Sequence, residues 1–221
     1  MRIRKATMST QTLPQLHWRA AIKVYDTSKK LTAEQVALIT EAARMSPTSY
    51  GMQPLKLFIV SDTATKKKLR KAGYNQPQFT DASHIFIFAA RTAITKEDVS
   101  AYITRIATQR NIPETKLDGF REMLLGSSAG KTVEQLHSWA AKQAYITLGM
   151  TLAIAADHKI DTTPMEGFDA QKFDTILEIQ KSGFTSVVAL AAGFRSKNDP
   201  YLKMAKVRKT VEEFTVKIAE K

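Results

Sequence analysis

Apolar residues recur at helical spacing through most of the chain. "LHWRAAI" (16–22) is short and amphipathic. "LTAEQVALITEAARM" (31–45) begins with Thr32 three residues ahead of Gln35. That is capping-box spacing, in which each side chain satisfies the other residue's free backbone N–H. "TKEDVSAYITRIATQR" (95–110) opens the same way with Thr95 and Asp98, and "TVEQLHSWAAKQAYITLGMTLAIAADH" (132–158) with Thr132 and Gln135. The last segment stays apolar for so long that a buried central helix is expected. "DAQKFDTILEIQ" (169–180) is a further amphipathic candidate.

Strand signals are fewer. "KLFIVS" (56–61), "HIFIFAAR" (84–91) and "TSVVALAAGF" (185–194) are short, β-branched or aromatic, and bounded by polar residues. Their near-continuous apolar character predicts strands covered on both faces. "FTVKI" (214–218) is a weaker candidate. Few strands among many helices predict an α+β or α/β sandwich, and periodicity goes no further. "TTPMEGFD" (162–169) reads as a turn between two helical patterns. Its combination of Pro164, Glu166 and Gly167 is more than a plain connector needs.

The 221 residues fit one large domain, with no repeat, low-complexity tract or Pro/Gly-rich linker to divide it. Residues 1–12 are expected to be a flexible tail and 13–221 a single domain. The hydrophobic fraction of 43% and charged fraction of 24% are ordinary for a globular protein. With no cysteine, thiolate metal sites, iron–sulfur clusters and a cysteine nucleophile are excluded. A reducing, cytoplasmic location is expected. No apolar run reaches the ~20 residues of a membrane helix, so no membrane association is expected. The basic N-terminus has no apolar stretch after it to make a secretory signal.

Thirty-three basic and 21 acidic residues give a net charge of +12, which favours anionic partners. Nucleic acid is one such partner, and a basic non-catalytic nucleic-acid-binding protein is the alternative reading. No recognised binding motif supports it, so no nucleic acid is expected as partner. A phosphorylated cofactor is the other. Arg19 and Lys23, four apart, would share a helix face. Lys206 and Arg208, two apart, would point the same way from an extended segment. Two such pairs suit one phosphate, Arg offering a fork of donors and Lys a point charge.

Other motifs lead nowhere. "GSSAG" (126–130) fits a nucleophile elbow around Ser128, but "GFREMLL" before it reads as a helix where the elbow needs a strand. "GSSAGKT" has one residue too few between its glycines for a P-loop, and Thr132 reads as the next helix cap. The four histidines form no metal-binding spacing, so no metal is expected, and no G-x-G-x-x-G occurs.

"RAAIKVYD", "SPTSYGMQP", "DASHIFIF", "TPMEGFD" and "KVR" occur in that order and resemble the marker segments of the FMN-dependent nitroreductase family, including related flavin and dihydropteridine reductases. The resemblance runs from about residue 17 to the C-terminus. It implies a three-layer α/β/α sandwich of α+β type with a mostly antiparallel central sheet. It implies an obligate homodimer with FMN at the interface and a C-terminal strand added to the partner's sheet. It implies Arg19, Ala20, Ala21 and Lys23 at the FMN phosphate or ring, Lys206 and Arg208 at the phosphate, and Asn75 at the ring with Gln78 nearby. Pro47, Thr48, Ser49 and Gly51 would reach the FMN held mainly by the other subunit, and Tyr145 would lie beside the ring. Backbone amides of the Pro164-Met165-Glu166-Gly167 turn would reach flavin N5 and O4, with Pro164 stiffening the approach and Gly167 permitting it. The implied activity is ping-pong hydride transfer from NAD(P)H, through the flavin, to a small aromatic oxidant: a nitroaromatic, quinone, flavin or pteridine. Tyr50, Tyr74 and Leu125 are candidates for the substrate pocket, and no protein side chain is assigned as a catalytic group. Departures from the family pattern are Ala21 for a hydroxyl residue, Gln78 for Lys, Gly51 for Asn and Leu55 for Trp, and they bear on specificity.

Overall fold

The computed structural model describes residues 12–218. The expected flexible tail lies outside that span except for Thr12, which opens the first helix. In chain order the elements are α1 (Thr12–Trp18), α2 (Ala33–Arg44), β1 (Leu55–Val60), α3 (Thr63–Ala72), α4 (Gln78–Asp81), β2 (His84–Arg91), α5 (Lys96–Arg110), α6 (Asp118–Ser128), α7 (Val133–Asp157), β3 (Asp161–Met165), α8 (Ala170–Leu177), β4 (Phe184–Gly193) and α9 (Val211–Phe214).

The strands form one sheet in the order β1-β2-β4-β3, with every neighbouring pair antiparallel. Alternation along the two central strands builds two cores. Ile85, Ile87, Ala89, Ala189 and Ala191 point to one face and pack with Leu69, Ala72, Phe79 and Phe173 of α3, α4 and α8. Phe86, Phe88, Val188, Leu190 and Ala192 point to the other and meet Ile39, Ala43, Ala144, Leu148 and Ala155 of α2 and α7. The result is helix, sheet and helix in three layers, and both central strands are covered on both faces, as their apolar runs predict. A third, smaller core of Val99, Ile103 and Leu124 closes the α5–α6 hairpin.

The three capping boxes form at Thr32/Gln35, Thr95/Asp98 and Thr132/Gln135. Ser128 is the last residue of α6, and Thr132 caps α7, so "GSSAGKT" is a helix-to-helix connection.

Several expectations need correction. α1 ends at Trp18, and residues 19–23 are not helical. Tertiary pairing overrides the helical spacing there: Ala21 bridges Thr162 in parallel, Tyr25 bridges Arg195, and Ile22 and Tyr25 are buried. Pro164 and Met165 belong not to a turn but to β3, opposite Leu190 and Ala189. A proline that donates no N–H is tolerated there because β3 is an edge strand. "FTVKI" is not a strand within its own chain. α9 turns once behind a Thr210/Glu213 capping box, and residues 215–218 follow in no regular structure. The "DAQKFDTILEIQ" helix stops at Leu177, where Glu178 takes a left-handed conformation. α7 is buried on one stripe only, and its opposite stripe exposes Tyr145, Ile146 and Met150.

Candidate functional site

Segments from both ends of the chain meet in one cleft of about 620 Å³, lined by residues that include Arg19, Ala20, Ala21, Lys23, Arg195, Lys206 and Arg208. Asp199 joins its two walls. Its buried carboxylate accepts from the backbone N–H groups of Lys23 (2.7 Å) and Val24 (3.1 Å) on one wall and of Tyr201 (3.0 Å) on the other. The Tyr25 hydroxyl, within hydrogen-bond reach of Thr163 Oγ1 and Ala191 O, and the Thr163 hydroxyl, which donates to Ile22 O, lock the first wall to the sheet. The four cations expected from the two pairs therefore do converge, although Arg19 and Lys23 reach the cleft from an extended segment and not from a helix face.

Arg195, which no sequence motif singles out, also lines the cleft. Its Nε and backbone N–H donate to the buried Asp161 (2.7 and 2.8 Å), and its guanidinium lies 4.1 Å from the Trp18 ring centroid. Arg19, Lys23, Lys206 and Arg208 have no carboxylate partner among the described residues. Arg19 Nε is buried without a hydrogen-bond partner. Burial, then Arg208, hold the Arg19 pKa below its ordinary value. Burial, then Arg19, Arg208 and Arg195, do the same to Lys206, whose ammonium donates to the Leu16 and His17 carbonyls at the end of α1. Crowded like charges of this kind are relieved by an anion.

A parallel bridge runs from Ala21 to Thr162 of β3, and β3 leads to the turn at Glu166-Gly167. Neither Glu166 nor Gly167 donates its backbone N–H to another described residue. The turn itself is firmly held. Phe168 N–H donates to Glu166 O (2.9 Å), Asp169 N–H to Ala72 O (2.9 Å), and Gln76 Nε2 to Gly167 O (2.6 Å). From α7, the Tyr145 hydroxyl donates to Glu166 Oε1 (2.6 Å). Burial first, then Glu166, raise the Tyr145 pKa to about 12. A Cβ at Gly167 would lie 3.2 Å from Gln76 Nε2, so within this chain what the glycine makes room for is the Gln76 amide.

Asn75 sits beside this turn in left-handed conformation, as does Tyr74. Gln78 opens α4, buried, with its Oε1 unpartnered. Pro47, Thr48 and Ser49 lie after α2, away from the cations: Gln143 on α7 accepts from Ser49 N–H (2.8 Å), and Thr48 Oγ1 accepts from Gln53 N–H (3.1 Å). Tyr50 and Gly51 both have positive φ, and the Tyr102 hydroxyl of α5 donates to Tyr50 O (2.7 Å). A Cβ on Gly51 would fall 2.5 Å from that hydroxyl oxygen. Tyr50 and Leu125 thus border the same hairpin cluster around Tyr102, whereas the exposed Tyr74 stands with the Asn75 loop. Among the described residues no group of three or more His, Asp or Glu could hold a metal ion, and no helix is long and apolar enough to cross a membrane.

The chain is thus a three-layer sandwich with a cationic cleft on one side of an edge strand, and with two backbone N–H groups at that strand's end that have no acceptor among the described residues. The model of the nitroreductase family matches residues 16–194, and the chain belongs to that family. The major NAD(P)H-flavin oxidoreductase of Aliivibrio fischeri is 30% identical over 202 residues, covering 88% of this chain and 93% of that protein. Among solved structures, the Bacillus subtilis protein ydfN matches with a TM-score of 0.84 at 19% identity, covering 94% of this chain and 99% of its own. A protein from Exiguobacterium sibiricum solved in complex with FMN matches with a TM-score of 0.79 at 18% identity, covering 98% and 100%.

Proposed function

We propose that the protein is an NAD(P)H-dependent, FMN-containing oxidoreductase. When bound, FMN would supply the hydride-transfer chemistry between NAD(P)H and an oxidant. The observation that carries the reading is the position of two features along β3. Four cations with no carboxylate partner among the described residues stand at the Thr162 end, and two backbone N–H groups with no described acceptor stand at the Glu166 end. Four residues at about 3.3 Å each separate these ends by about 13 Å, on the scale of FMN from phosphate to ring.

The residues divide the task. Arg19, Lys23, Lys206 and Arg208 hold the phosphate, and the buried, unpartnered Arg19 Nε gains an acceptor. The Glu166 and Gly167 amides point donors at the ring edge where hydride is delivered, without a side chain in front of it. Asn75 and Gln78 approach the ring from the α3–α4 side, and Tyr145 from α7. Gln78 is neutral, so less positive charge stands near the ring to stabilise its reduced form. Pro47, Thr48 and Ser49 are not among the residues that line their own chain's cleft, and would serve that of a second copy in a homodimer. Tyr74, beside Asn75, would line the acceptor side of its own chain's cleft, and Tyr50 and Leu125, on the side of Ser49, that of the second copy's. A nitroaromatic, quinone, free flavin or pteridine fits such aromatic surroundings, and one face shared by donor and acceptor gives parallel double-reciprocal lines. A cytoplasmic location, with its supply of NAD(P)H, fits this reading.

The test is the visible spectrum of the purified protein, before and after anaerobic NADH or NADPH. A flavin spectrum that bleaches is expected, and the nucleotide that bleaches it faster is the donor. A protein that stays colourless after incubation with FMN rejects the reading. Ranking menadione, FMN and a nitrofuran by kcat/KM then identifies the acceptor class.

A further inference from the structure

Gln76 is the one side chain that ties together the two loops facing the proposed ring. Its amide nitrogen donates to Gly73 O (3.1 Å), at the start of the α3–α4 turn, and to Gly167 O (2.6 Å), in the turn after β3. Its backbone N–H also donates to Gly73 O (3.1 Å). The α3–α4 turn needs such a fastening. Tyr74 and Asn75 are consecutive non-glycine residues at φ 53° and 60°. Conformations of this kind persist where surrounding structure over-determines them, and they gather at functional sites. Gly73 itself is fixed, because a Cβ there would enter the fully buried Phe79 ring. The segment from Gly73 to Gln76 is therefore a rigid arm, and the Gln76 amide is its tip.

On the other side, the Gly167 carbonyl has no backbone donor, and Gln76 is its partner. Holding that carbonyl fixes the Gly167–Phe168 peptide plane, and the Phe168 N–H of the same plane donates to Glu166 O (2.9 Å), the carbonyl of the plane that carries the Gly167 N–H. The Gly167 N–H in that second plane donates to no other described residue. The contact also leaves no slack: a methyl group at Gly167 would meet the amide nitrogen at 3.2 Å.

We propose that Gln76 is a positioning residue, which sets the direction of the Gly167 donor and couples it to the placement of Asn75. The proposal rests on the FMN reading of the site. Gln76 touches neither cofactor nor substrate; it acts through the two turns it joins. Donors aimed at a ring that gains electron density on reduction favour the reduced form. Loosening them lowers the potential and slows the chemical step while leaving the substrate pocket intact.

The test uses Gln76→Met, which keeps length and removes both donors, and Gly167→Ala, which crowds the same contact while leaving the Gln76 amide in place. Both are assayed as FMN-loaded proteins beside wild type. The expected result is a kcat at least about tenfold lower with KM within about twofold, since a misplacement of about 1 Å costs up to about 100-fold. The affinity ratio for reduced over oxidised FMN falls about tenfold, read as a two-electron midpoint potential lower by about 30 mV. A residue that only stabilises the fold would lower Tm and leave potential and kcat unchanged, and that outcome in both variants overturns the proposal. Should Gln76→Met not fold, Gly167→Ala decides alone. A wild-type protein that takes up no FMN fails the underlying reading, and the inference with it.

Discussion

Arg19 shows how a single side chain is tuned for a ligand. Its guanidinium is half-buried, its Nε lacks a partner, and Arg208 and Lys206 stand beside it. Each of these features is unfavourable in the free protein, and each is reversed by a dianionic phosphate. Arg19→Gln is expected to leave Tm of the cofactor-free protein unchanged or higher. It weakens FMN binding by about 10- to 100-fold, the value of roughly 1.5–3 kcal/mol for a charged hydrogen bond. Titration of apo-protein with FMN, followed by flavin fluorescence, measures this, and riboflavin serves as the phosphate-free control that Arg19→Gln does not affect. The sign of the pH effect follows from Lys206. Its folded pKa is lowered below the ordinary lysine value by burial and then by its cationic neighbours. Between the two values the unfolded chain binds more protons, so apo stability rises with pH as the folded pKa is passed, up to the ordinary lysine value. Lys206→Gln removes that rise, and Tm measured from pH 7 to 10 in wild type and variant checks it.

Among the elements, those that satisfy themselves locally were legible and those completed at long range were not. The three capping boxes at Thr32, Thr95 and Thr132 could be read because a Thr and a Gln or Asp three residues on are sufficient. The central strands could be read because burial on both faces leaves continuous apolar runs in β2 and β4. β3 could not, since "DTTPM" pairs on one side only and carries a proline. α3 was hidden by charge: "TATKKKLRKA" buries Lys66 beside Leu69 and Ala72, its ammonium donating to the Ala82 and Ser83 carbonyls. The site divides likewise. Its basic pairs and its turn were visible through the resemblance. Arg195, Gln76 and Asp199 act on partners far away in sequence, for which the chain carries no local signal. Asp199 gives the element-scale prediction. Asp199→Ala strands three backbone N–H groups and leaves the 19–25 and 195–208 segments joined by the Tyr25–Arg195 bridge alone, with its Ser196 N–H to Val24 O bond. We expect a loss of about 2–4 kcal/mol, a Tm fall of roughly 5–15 °C, together with weakened FMN binding. Thermal denaturation with and without saturating FMN separates the two effects.

For the whole molecule, the surface of one chain is hard to reconcile with a monomer. Tyr145, Ile146 and Met150 line an exposed stripe of α7, and Val207, Val211, Phe214, Val216 and Ile218 are each at least 69% exposed along one C-terminal segment. The outer edge of β1 is unpaired among the described residues, and an unpaired edge is a template for another strand. We expect a second copy to answer both, its C-terminal segment lying along β1 while the α7 stripes meet. Deleting residues 212–221 tests this without touching the phosphate ligands, because Lys206 and Arg208 remain. If each FMN depends on two chains, the truncated protein elutes as a monomer by light scattering and loses its yellow colour at the same time. Dilution of the intact protein should do the same reversibly, with the FMN dissociation constant rising as protein concentration falls. A truncated protein that stays dimeric and yellow would show that α7 alone carries the interface. A truncated monomer that keeps FMN would show that the cations of one chain suffice, and Pro47, Thr48 and Ser49 would then have no part in holding the cofactor.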